Sequence, residues 1–255
     1  GRGLIALQPR PQCSAVWACE AWNNMQCMLR LGTGAPANPV GVHRLQYLVD
    51  DTRLDNGLRV VVNPDAMAPG VAVNLWYRVG SADESPGCTG FAHLFEHLMF
   101  AGSMNVENGE HLAAIQAVGG SANATTSFDR TNYFETVGPQ ALGLALWLEA
   151  DRMSGLNVDQ NNLDTQREVV KEEKRQRYDN VPYGDQLELL LALNFPTEHA
   201  YGHPAIGSMA DLDAATLDDV QWFYRTWYQP AAAVLTLSGP ISVEQAMATA
   251  KASPE

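Results

Sequence analysis

The chain has 255 residues, of which 46% are hydrophobic and 18% charged, enough for one large domain or two small ones around an ordinary core. Sixteen Lys and Arg against 29 Asp and Glu leave a formal charge of −13. That charge makes a poor partner for a phosphate backbone or an anionic membrane face, so no nucleic-acid partner is expected. No apolar run reaches the ~18 residues of a membrane-spanning helix. No charged-then-apolar signal pattern opens the sequence. The expectation is a soluble chain, cytoplasmic or associated with a larger complex. The four cysteines, Cys13, Cys19, Cys27 and Cys88, are too few for a disulfide-dependent scaffold and fit no standard zinc spacing.

Residues 1–44 read as an N-terminal extension and linker, with QPRPQ, a Cys- and Trp-bearing stretch and then GTGAPANPVG. The main domain is expected over 45–255. Asp55-Asn56-Gly57 is a turn signal ahead of LRVVVNP, a strand pattern, and residues 70–79 make a second strand. Residues 91–100 switch to helical spacing, and 107–118 suggest another helix closed by Gly119-Gly120. Residues 121–127 and 131–137 pair as antiparallel strands. An apolar-rich helix follows at 142–153, a long charged one at 162–178 and a more buried one at 185–194. After Pro204 come a short helix and a clearer one at 216–227, where Thr216 and Asp219 have capping-box spacing. A last strand at 232–238 and a last helix at 242–250 complete the pattern. Strands first, helices next and a late returning strand predict an α+β fold, a mostly antiparallel sheet packed against helices.

The informative segment is His93-Leu94-Phe95-Glu96-His97. Four residues advance about 400° on a helix, so His93 and His97 stand one turn apart on one face and can grip one metal ion. Glu96 shares that side and can reach a water on the same ion. A metal that lowers a water's pKa, beside a carboxylate that relays its proton, is what a zinc hydrolase needs. Two histidines and a glutamate within an apolar helix are costly unless something satisfies them. His43, His111, His199 and His203 read as surface or structural residues.

A third ligand is sought in Arg167-Glu168-Val169-Val170-Lys171-Glu172-Glu173. With Val170 on the buried stripe at 0°, Glu173 falls at about −60° and Glu172 at about 200°. Glu173 therefore faces inward and Glu172 outward. Gln166, at about −40°, lies on the side of Glu173, two turns earlier. Metal binding explains an inward Glu173, and so does a buried salt bridge.

These residues resemble the inverzincins, and within them the pitrilysin-like family of zinc peptidases, in the branch of mitochondrial processing peptidase and its bacterial relatives. The likeness runs from about Leu54 to Glu244. It is carried by LDNGLRVVV, RVGSADESPGCTGFAHLFEHLMF, GGSANATTSFDRTNYFETV, REVVKEEKRQR and FYRTWYQP. The resemblance implies one Zn2+ per chain, His93, His97 and Glu173 as its ligands, and Glu96 as general base. Family members usually carry a glutamate where this chain has Gln166, so a supporting role there lacks its charge. Gly120 to Thr125 resembles the family's edge strand, to which peptide substrates add by backbone hydrogen bonds. Asn123, Ala124 and Thr125 are the substrate contacts this implies. Sequence alone favours an ordinary hairpin strand, by about two to one.

The expected function is therefore zinc-dependent endopeptidase activity on extended peptides. Only the zinc-bearing N-terminal half of the family's usual two-domain chain is visible. The resemblance thus implies a second homologous domain or subunit as partner, in a hetero- or homo-oligomer. The rival reading is a non-catalytic structural or partner subunit of a larger peptidase or respiratory assembly. Such members generally have damaged metal ligands, whereas all four key positions are intact here.

Overall fold

The computed structural model describes residues 48–252. The expected extension at 1–44, and His43 within it, lie outside the described residues. Six strands form one sheet: β1 (Asp50–Arg53), β2 (Arg59–Pro64), β3 (Val71–Tyr77), β4 (Ser121–Thr126), β5 (Thr131–Val137) and β6 (Ala233–Gly239). Their spatial order is β1-β2-β6-β3-β5-β4. β2 pairs with β6 in parallel, and the other four neighbouring pairs are antiparallel. The expected α+β class with a mostly antiparallel sheet is what the chain adopts. The late strand is not an edge addition, however. β6 inserts between β2 and β3, so residues some 170 positions apart become neighbours, as in the Val62–Leu237 pair.

Alternation decides which face is covered. Val71, Val73, Leu75 and Tyr77 of β3 are buried, whereas Trp76 between them is exposed. Ala233, Leu235 and Leu237 of β6 and Val60 and Val62 of β2 face the same way. On this face pack α1 (Phe91–Leu98), α3 (Leu142–Ser154) and α7 (Leu217–Trp227). Phe95 of α1 stacks on Phe223 of α7, with ring centroids 5.0 Å apart, and lies 5.2 Å from the Tyr228 ring. Burying aromatic rings at this density anchors α1 firmly to the sheet.

The remaining helices are α2 (Glu110–Ala117), α4 (Gln160–Lys174), α5 (Gln186–Asn194), α6 (Met209–Ala214) and α8 (Val243–Ala252). Thr216 and Asp219 form the expected capping box at the start of α7. Three expectations need correction. β1 was not anticipated, because DDTR has no apolar alternation and is a strand only through pairing with β2. The long charged helix begins earlier, where the Asp159 side chain accepts the Asn162 N–H (2.8 Å). It also ends earlier as an α-helix: Arg175–Asp179 form a π-helical turn, closed by the Asn180 N–H on the Arg175 carbonyl. Finally, α5 was expected to be buried from its LELLLAL composition. Of its residues only Leu191 is buried, and Leu193 is 82% exposed. No helix among the described residues is long and apolar enough to cross a membrane.

Candidate metal centre

α1 carries His93, Glu96 and His97, and α4 carries Glu173 next to its C-terminus. The Nε2 atoms of His93 and His97 lie 3.7 and 3.2 Å from the same oxygen of Glu173. One ligand atom from each of the three residues lies within 4.8 Å of the others. The imidazole rings meet edge to face, with centroids 4.9 Å apart. The helix-phase reading of α4 holds: the Glu173 side chain is 17% exposed and that of Glu172 is 52% exposed. Gln166 is half-buried on the same stretch of α4.

The donor set suits a divalent cation such as zinc, with two imidazole nitrogens and a carboxylate oxygen converging. Burial, and then the neighbouring His97, push His93 down to about 4, so its imidazole is neutral and keeps a lone pair for a metal. The other ring nitrogen of His93, Nδ1, is buried without a hydrogen-bond partner. Glu173 is not wholly unpaired: its second oxygen lies 2.6 Å from Arg177, on the π-helical turn one helical turn onward. The Arg177 side chain is 72% exposed, so this is a surface ion pair and a weak competitor for the carboxylate.

A second group of ligand types, His111, Glu135 and Glu149, lies within the same mutual distance but is fully buried. It already contains a cation. Arg152, itself buried, donates to both oxygens of Glu149, with Nε to Oε2 at 3.0 Å, and lies over the Tyr133 and Phe100 rings at 4.3 and 4.9 Å. A guanidinium occupying the charge-balancing place makes this a structural ionic cluster, not a metal site.

Glu96, on the same helix as both histidines, is turned toward β4 and feels the charges of His97 and Glu173. Its Oε2 accepts a 2.5 Å hydrogen bond from the Thr126 hydroxyl. Burial raises its pKa above the ordinary carboxylate value, and the Thr126 hydrogen bond partly opposes this. Sequence reading missed Thr126. Strand alternation was the available signal, since Thr126 shares the face of buried Ala124. Among the described residues β4 is the sheet edge beside α1 and pairs with β5 alone. Asn123 and Thr125 lie exposed on it, and the Ala124 N–H donates to the Asn123 side-chain oxygen (2.8 Å). Arg130 donates to both the carbonyl and the hydroxyl of Thr125.

Residues 59–201, more than half of the chain, match the family described as insulinase (peptidase family M16). The zinc protease PqqE of Helicobacter pylori is 36% identical over 217 residues, covering 82% of this chain and 48% of that protein. The probable mitochondrial-processing peptidase subunit beta of Arabidopsis thaliana is 27% identical over 203 residues, covering 78% of this chain and 37% of the relative. Among solved structures, a protease from Helicobacter pylori superposes with a TM-score of 0.78 at 33% identity, over 81% of this chain and 49% of that one. The periplasmic protease PqqL of Escherichia coli gives 0.73 at 25% identity, over 80% and 23%. The chain thus spans about half the length, or less, of the relatives it matches.

Proposed function

The chain belongs to the insulinase family of peptidases, peptidase family M16, and on that premise we propose that it is the zinc-bearing part of an endopeptidase that hydrolyses extended peptides. His93, His97 and Glu173 would hold one Zn2+, and Gln166 would support that site from the same helix. The observation that carries the reading is the approach of both Nε2 atoms to one oxygen of Glu173, at 3.7 and 3.2 Å.

When bound, the zinc ion would supply Lewis acidity, lowering the pKa of a water and polarising the scissile carbonyl. Glu96 takes the proton of the attacking water and delivers it to the leaving amine. Burial, which raises its pKa, suits a group that must both accept and release a proton near neutrality. Thr126 fixes the carboxylate rotamer during that exchange. The substrate backbone adds to the free edge of β4, with Asn123, Ala124 and Thr125 as its contacts. Extended peptides are favoured because only an unfolded backbone can pair with a strand edge.

The relatives are about twice as long as the matched region, which supports a second homologous domain or a partner subunit that completes the substrate chamber. The test is Glu96→Gln. The variant should retain about one zinc per chain, since the amide replaces no ligand, and lose peptide turnover. Equal hydrolysis by variant and parent, in the presence of whatever second domain activity requires, would refute the assignment.

A further inference from the structure

The metal ligands sit on two helices far apart in sequence, and their convergence needs a device that fixes α1 relative to α4. Glu84 is one part of it. Its side chain is fully buried. Its two oxygens accept the N–H groups of Gly90 (2.8 Å) and Ala92 (2.7 Å), at the start of α1. The N-cap of α1 is Gly90, which has no side chain to cap the helix, so Glu84 satisfies these donors from six residues upstream.

The other part lies on α4. Lys174, adjacent to Glu173, is buried, and its ammonium donates to the Gly207 carbonyl (3.0 Å). Gly207 in turn is pressed against the start of α1. A Cβ there would lie 2.4 Å from the Gly90 Cα, and Gly207 has φ +71°, so only glycine fits. Thr89 and Asp211 close the same junction: the Thr89 hydroxyl donates to Asp211 (2.5 Å) and accepts the Ser208 N–H (3.1 Å). Each link is buried or half-buried and short, so movement of one helix end is passed to the other.

We propose that Glu84 and Lys174, joined through the Gly90–Gly207 backbone contact, are positioning residues that set the separation between the His93–His97 pair on α1 and Glu173 on α4. Neither reaches the metal ligands' reacting atoms. This inference rests on the zinc reading of the site.

The experiment measures zinc affinity by competition with a chromophoric chelator, and the visible spectrum of the cobalt-substituted protein. The variants are Glu84→Gln, which leaves one acceptor for two N–H groups, and Lys174→Met. Arg167→Met is the control. Arg167 ties the same helix to the Leu212 and Ala215 carbonyls near the end of α6, and bonds neither Gly90 nor Gly207. Glu84→Gln and Lys174→Met should each weaken zinc binding about 10-fold or more and shift the cobalt band. Lys174→Arg, which can still reach the Gly207 carbonyl, should restore both. Arg167→Met should lower the melting temperature with the parental zinc affinity. If Glu84→Gln fails to fold, Lys174→Met and its arginine rescue decide the matter alone. Parental affinity and spectrum in folded Lys174→Met would overturn the proposal, as would an equal loss of affinity in Arg167→Met. A parent protein that binds no zinc would instead overturn the zinc reading itself, so the two failures are distinguishable.

Discussion

The Thr126 hydroxyl lies 2.5 Å from Glu96 Oε2 and joins the last residue of the edge strand β4 to the helix that carries both histidines. The strand proposed to bind substrate and the carboxylate proposed to act on it are therefore one mechanical unit. A peptide that added to β4 would arrive in a fixed register with Glu96.

Thr126→Val tests this coupling. Valine keeps the shape and removes the donor. A hydrogen bond to a charged group is worth about 1.5–3 kcal/mol, so kcat should fall ~10- to 100-fold if the bond persists into the transition state. KM and zinc content should hold, since neither the backbone of β4 nor a metal ligand changes. Steady-state kinetics on a quenched-fluorescence peptide, with metal analysis of the same sample, reads both. A change confined to KM would place Thr126 in substrate binding instead.

Glu173 and Glu172 are adjacent in sequence, yet only Glu173 faces His93 and His97. Glu173→Gln should therefore lose most of its zinc on dialysis, and Glu172→Gln should keep about one ion per chain. Chelator should lower the melting temperature of the parent and of Glu172→Gln but leave that of Glu173→Gln nearly unmoved, because a ligand stabilises only the protein that binds it. Inductively coupled plasma analysis and thermal melts with and without EDTA distinguish the two.

What could be read from sequence, and what could not, follows the range of the interactions. The two-histidine helix and the inward phase of Glu173 were legible because helical periodicity is local: Val170 and Leu163, both buried, define the stripe. The Thr216–Asp219 cap was legible for the same reason. β1 was not, since DDTR is held only by its ladder with β2. The insertion of β6 between β2 and β3 is a long-range pairing that no local pattern encodes. Glu84 was missed because it caps α1 through space and not from the cap position. α5 misled because its leucines surround the helix, and composition alone does not say whether anything covers them.

Arg152 and Glu149 illustrate a buried pair whose loss should be asymmetric. Both are nearly inaccessible, and Arg152 donates to both oxygens of Glu149 through Nε and Nη2 while its Nη1 is buried without a hydrogen-bond partner. Arg152→Met leaves the Glu149 carboxylate buried without its cation, and should destabilise the fold by about 3–5 kcal/mol. Adding Glu149→Gln removes the stranded charge, so the double variant should be more stable than Arg152→Met alone. Urea denaturation of both single variants and the double variant checks this, and a double loss equal to the sum of the two single losses would show that the two residues do not act as a pair.

His111 and Glu135 titrate in opposite senses, and their partial cancellation is itself testable. They lie 2.6 Å apart in the core. Burial pushes His111 down to about 3 from 6.5 and pushes Glu135 up to about 7 from 4.5. Between pH 4.5 and 6.5 the unfolded chain binds the extra proton at His111, whereas the folded chain binds it at Glu135. The two slopes oppose, so this pair should contribute little pH dependence in the parent over that window. Glu135→Gln leaves only the His111 effect: stability should rise with pH from about 4.5 to 6.5, by up to ~1.4 kcal/mol per pH unit relative to the parent. His111→Gln leaves only the Glu135 effect, and stability should fall as pH rises from about 4.5 to 7, because the folded state then holds the extra proton. Denaturation midpoints across this range, taken as differences from the parent, cancel the titration of surface groups common to all three proteins. Parallel profiles for the two variants would show that the proton is not exchanged between these residues on folding.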